Sequence, residues 1–169
     1  MYHMNKKQEA NAFVKECITT ALIKMMQEHS FGSISITNLV ELAGVARVSF
    51  YRNFTSKEDV IKQHLDFLIQ KWGAEFEKTG SPDTFSESLA NHYYKYRDFY
   101  LLLYRHNLSA MIYENIREAL HIDSVDEQNE RFRRAVWAGA IFGWLDEWAR
   151  QGMSWRDLSK SQDFMIWEK

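Results

Sequence analysis

Cysteine occurs once in this sequence of 169 residues, at Cys17, and proline once, at Pro82. A lone thiol closes no disulfide within the chain, which fits a reducing compartment. One proline, seven glycines and few runs of β-branched residues are too little turn chemistry for a sheet protein of this length. The expected fold is therefore all-α. No stretch reaches the roughly 20 apolar residues that span a bilayer. The opening segment MYHMNKKQEA lacks the apolar core of a signal peptide. A soluble, cytoplasmic chain with no membrane partner is the expectation.

Reactive motifs are equally scarce. There is no glycine-rich phosphate loop, no HExxH, and no Ser/His/Asp or Cys/His arrangement that spacing supports. Asp146 and Glu147 are neighbours on a helix and point apart. His92, His106 and His121 stand fourteen and fifteen positions apart, which is no local ligand motif. We therefore expect no catalytic residues, no metal and no cofactor. A surplus of one charge is missing too. The formal net charge is −2, with eight Lys/Arg against seven Asp/Glu from Met1 to Gln70, and thirteen against sixteen beyond. The front is faintly basic, a weak pointer to an anionic partner there.

What the chain does have is helical period. Phe13, Val14, Cys17, Ile18, Ala21, Leu22 and Met25 recur at i, i+3/i+4, predicting a helix from about residue 8 to His29. Ser35 is the expected N-cap of a short run through Ile36, Leu39, Val40 and Ala43, and Gly44 its C-cap. A second short helix follows, RVSFYRN, before Ser56 and Asp59 open a long one carrying Val60, Ile61, Leu65 and Leu68. Two short helices joined by a turn containing Gly have the layout of a helix-turn-helix. Arg47, Ser49, Tyr51, Arg52 and Asn53 make the second of them polar and aromatic, a poor core element suited to probing something outside the protein.

Thr79-Gly80-Ser81-Pro82 is the strongest break. Beyond it the spacing predicts helices at about 83–96, 98–106, 109–121 and 125–151, and a last one from Ser154 to about Trp167. The domains expected are 1–55, a connecting helix 56–77, and 78–169. In the long helix Ala135, Gly139 and Gly143 share one stripe, and Trp137, Ile141, Trp144 and Trp148 a second, bulky one. Gly costs about 1 kcal/mol in a helix interior relative to Ala, so two on one stripe imply a close neighbour. A helix of the same subunit, the same stripe of a symmetry mate or a ligand would each serve. Tyr93, Tyr96, Tyr100, Tyr104 and Trp137 either line an apolar effector pocket or fill a core.

Residues 10–65 resemble the DNA-binding domain of TetR-family transcriptional regulators. The resemblance rests on ITNLVELAGV, then RVSFYRNF, then SKEDV. The stretch FRRAVWAGAIFGWLDEWARQGM is similar, more loosely, to the penultimate helix of a variety common in Firmicutes. The resemblance implies a three-helix domain with a helix-turn-helix over 1–55, and an effector-binding and dimerisation domain over 78–169. It implies a homodimer that binds a palindromic double-stranded operator, usually as a repressor, switched by a small-molecule effector. On it the DNA contacts are Thr37, Arg47, Val48, Ser49, Tyr51, Arg52 and Lys57. Arg47 would donate to guanine O6 and N7. Thr37 and Lys57, at helix starts, and the Tyr51 hydroxyl would take phosphates. The dimer interface would draw on Ala135, Gly139, Gly143, Trp144 and Trp148. Three positions depart from the pattern: Ala46 stands where Ser or Thr caps the reading helix, Val48 where a small residue is common, and Val40 for a typical Ala. Ala46 and Val48 keep a protein-binding adaptor on the same scaffold as the alternative.

Overall fold

The computed structural model describes residues 6–154. Eight α-helices follow in order: α1 (Lys6–Glu28), α2 (Ile36–Ala43), α3 (Arg47–Asn53), α4 (Lys57–Thr79), α5 (Phe85–Lys95), α6 (Arg97–Arg105), α7 (Ser109–Ala119) and α8 (Gln128–Arg150). No strand occurs among the described residues. The helix expected from Ser154 to Trp167 lies outside them. None of the described helices is long and apolar enough to cross a membrane.

The helix ends follow from side-chain chemistry. The Ser35 hydroxyl accepts the Asn38 N–H at 3.1 Å and starts α2. Gly44 ends it with φ of +65°, a left-handed conformation that glycine enters without strain. At α4 the Ser56 hydroxyl accepts the Asp59 N–H at 3.1 Å. The Asp59 carboxylate reaches one residue further back than a capping box does, accepting from the Thr55 N–H at 2.8 Å and the Thr55 hydroxyl at 3.2 Å. Just beyond α4, position 80 is glycine because a Cβ there would overlap the Phe76 ring and carbonyl.

The reading helix α3 starts without such a cap. Ala46 holds an extended, cap-like backbone (φ −69°, ψ 143°) but offers no acceptor to the first turn. Ala46→Ser is therefore expected to stabilise the protein by about 0.5–2 kcal/mol, read as a raised urea midpoint at unchanged slope. An unmoved midpoint would mean that solvent already satisfies that turn.

The chain divides into two compact units, residues 1–64 and 65–169, with the boundary inside α4. In the first, α2 and α3 pack on α1. Its centre is built from Ile18, Leu22, Met26, Leu39, Phe50 and Phe54, all essentially buried. Each such side chain contributes about 1.5–3 kcal/mol. In the second, α7 packs along α8 and α6 touches both. Its centre holds Leu103, Ile112, Ile116, Leu145 and the rings of Tyr93 and Tyr100. Buried Asn115 donates to Asp66 Oδ1 at 2.8 Å, tying α7 to α4.

Candidate nucleic-acid interface

α3 has one face pinned and one face free. Phe50 is fully buried, with Phe54 5.8 Å away in ring centroids. On the other face Val48 is 65% exposed and Tyr51 51% exposed, flanked by exposed Arg47 and Arg52. Ser49 is half-buried, and its carbonyl accepts the Asn53 side-chain amide at 2.8 Å.

Three of the side chains expected to meet DNA converge. Arg47 Nη1 donates to Thr37 Oγ1 at 3.2 Å and Nη2 to Tyr51 Oη at 3.3 Å. Its guanidinium carbon lies 5.6 Å from the Tyr51 ring centre. So the start of α2 and the outer face of α3 present one continuous polar patch. A guanidinium has five N–H donors in a planar fork, and two are engaged here. The remainder suffices for a two-bond contact to a base edge.

Lys57 behaves differently from the phosphate contact expected of it. Its Nζ donates to the carbonyls of Phe31 at 2.7 Å and Ile34 at 2.6 Å, and it stands 4.7 Å from the Phe31 ring centre. These carbonyls belong to the first residue of the 3-10 turn Phe31–Ser33 and to the residue that follows it. The ammonium thus staples that turn to the start of α4, with one N–H left over. Its first effect is on the fold, and any phosphate contact is limited to that third donor.

Residues 18–63 match a family model, that of bacterial regulatory proteins of the tetR family. The first unit holds a TetR-family DNA-binding domain. That match supports a DNA-binding transcriptional regulator. No curated protein matches the chain in sequence. Within the TetR-type domain, α2, Gly44 and α3 are the helix-turn-helix.

The second unit bears on two expectations. Of the five aromatics, two are placed in the core. Tyr93 and Tyr100 are core, with ring centroids 4.8 Å apart, and burial pushes both phenols up. The Tyr104 hydroxyl is buried without a well-formed hydrogen bond. Burial and then the nearby Asp146 carboxylate push it up. Trp137 is half-buried on α8. Only Tyr96 of the five borders the recess described below.

The bulky stripe of α8 also turns inward. Trp148 is buried, stacks on Tyr94 at 6.3 Å and donates its Nε1–H to the Ser154 carbonyl at 3.0 Å. Trp144 is half-buried, 6.3 Å from Tyr93. Both indoles make ring contacts within their own subunit. Ala135 is half-buried, whereas Gly139, Ala140 and Gly143 are exposed. Phe132 (60% exposed) and Val136 (72% exposed) extend that stripe upstream. The sequence reading passed over both, although they precede Gly139 and Gly143 at helical spacing.

Proposed function

We propose that the chain is a homodimeric regulator, acting as a repressor, that reads a palindromic operator with two copies of α3. A small molecule bound in the second unit alters its DNA affinity. The carrying observation is the free face of α3, where Arg47, Val48, Tyr51 and Arg52 stand outward from a helix anchored by Phe50. Recognition helices docked in successive major grooves use such a face, and a twofold protein matches a twofold site. The effector step is linkage: a ligand that prefers one arrangement of the dimer shifts the population toward it. α4, continuous from one unit into the other, is the natural lever.

The exposed stripe of α8 supports the dimer. A Cβ at Gly139 or Gly143 would meet nothing within 4 Å, so the subunit's own packing requires neither glycine. A second copy approaching closely would account for them and would cover Phe132 and Val136. This also makes Gly143→Leu a clean test. The isolated subunit should tolerate the leucine, which is the better helix former, while a close-packed partner should not. The expected result is a fall from two-chain to one-chain mass in light scattering at micromolar concentration, with helicity retained. Unchanged mass would place the interface elsewhere.

DNA binding itself is tested by selecting a duplex from a random pool and measuring its affinity against salt. With about four phosphates neutralised per complex, affinity should fall roughly a hundred-fold between 50 and 200 mM salt. The uncapped start of α3 at Ala46 favours the adaptor as second reading. No sequence-preferred duplex at low salt would select it.

A further inference from the structure

A recess of about 180 Å3 lies between α4 and α5, with all of its lining in the second unit. Three aromatic rings form its walls. The Trp72 indole is fixed by donation to Ser88 Oγ at 2.9 Å and by stacking on Phe76 at 5.5 Å. His92 lies 6.1 Å from that indole and 5.3 Å from the Tyr96 ring. His92 is only 5% exposed. Its Nε2 meets Tyr100 Oη at 3.1 Å, and its other ring nitrogen has no partner among the described residues.

The rim is charged. Lys71 from α4 and Lys95 from α5 border the recess, against one carboxylate, Glu75. Neither lysine is paired to a carboxylate among the described residues. Lys95 Nζ stands 5.4 Å from the Tyr96 ring centre. An apolar cavity of about 150 Å3 holds one benzene molecule, so the room here suits a single ring with one small substituent. Flat walls favour a flat occupant. Two unpaired ammonium groups and an unpartnered imidazole nitrogen favour an anionic substituent.

We propose that this recess binds a small planar aromatic carboxylate. It is then the effector site of the switch proposed above, and the assignment of that role rests on that reading. Trp72 belongs to α4, so an occupant stacked on it bears directly on the helix that leads into the DNA-binding unit.

Benzoate is the probe, with benzamide as its neutral counterpart, added to the full chain labelled with 15N. The Trp72 indole resonance, identified by its loss in Trp72→Phe, should move saturably with benzoate, with Kd of about 0.1–1 mM. Benzamide should bind at least about five-fold more weakly. The Lys71→Gln/Lys95→Gln double variant should remove that difference while leaving benzamide unaffected. An indole resonance that stays fixed at about 10 mM benzoate, or equal binding of the two compounds, would overturn the assignment. Operator affinity separates the two readings. Benzoate that fills the recess without changing DNA affinity upholds the site and removes its role in the switch. Operator binding that responds to another small molecule, with the recess empty of benzoate, does the reverse.

Discussion

Arg47→Ala is expected to weaken binding to the selected operator by about 1–3 kcal/mol per half-site. Two distant copies act nearly independently, so a dimer on a palindrome should lose about 2–6 kcal/mol. Arg47 carries this weight because it is the one side chain that joins the patch. It holds Thr37 Oγ1 and Tyr51 Oη while remaining exposed. Its loss would remove a forked donor and leave Tyr51 free to swing. The matching control is Arg47→Lys, which retains the charge but not the planar fork. It should keep much of the affinity for unrelated duplex and lose base preference at one position of each half-site. Stability should barely change in either variant, because an exposed arginine with two long hydrogen bonds contributes little to folding. The measurement is a competition between the selected duplex and singly substituted versions of it. An Arg47→Ala protein with intact preference at every position would remove this residue from base reading and leave it a phosphate contact.

The DNA-binding unit was largely legible because its signals are local. Ser35 and Gly44 bracket α2 by cap chemistry within ten residues, and Ser56 opens α4 in the same way. Phe50 falls on the inner face of α3, and Phe54 just past its end, by spacing alone. Lys57 was not legible. Its position in a first turn marks it as an anion site, but its ammonium is claimed by carbonyls 23 and 26 residues earlier in the chain. Nothing in the neighbourhood of Lys57 reveals that the 3-10 turn leaves those oxygens in reach.

The second unit was harder for a different reason. Apolar period shows that a face is buried, not what buries it. α8 is apolar on two stripes, so sequence offers two candidate interfaces, and the bulky stripe attracts attention first. Only three-dimensional contacts show where the bulky stripe lies: the indoles of Trp144 and Trp148 stand against Tyr93 and Tyr94 of their own subunit. The same limit applied to the tyrosines. Tyr93 and Tyr100 have the spacing of either a core or a pocket wall, and they are core. Trp72, His92, Lys71 and Lys95 come from two helices on either side of the Gly80 break. No spacing rule joins them.

Acid is expected to destabilise the second unit through His92, with a loss of about 3 kcal/mol between pH 6.5 and 4. Burial first, and then the Lys95 ammonium, lower the His92 pKa from 6.5 to about 4 in the folded chain. The unfolded chain therefore binds a proton that the folded chain refuses across this window. Stability rises with pH wherever the unfolded state holds more protons, so the contribution is complete above pH 6.5 and is lost as pH falls towards 4. The slope should approach 1.4 kcal/mol per pH unit, roughly the free energy of one proton. His92→Gln isolates it, since glutamine does not titrate and its amide can still meet the Tyr100 hydroxyl. Urea midpoints of the parent and His92→Gln should converge as pH falls, because both share every other titration. That includes His64 in the first unit, whose pKa burial also lowers. Parallel curves would mean that water in the recess, or a carboxylate, solvates the protonated ring well enough to offset its burial.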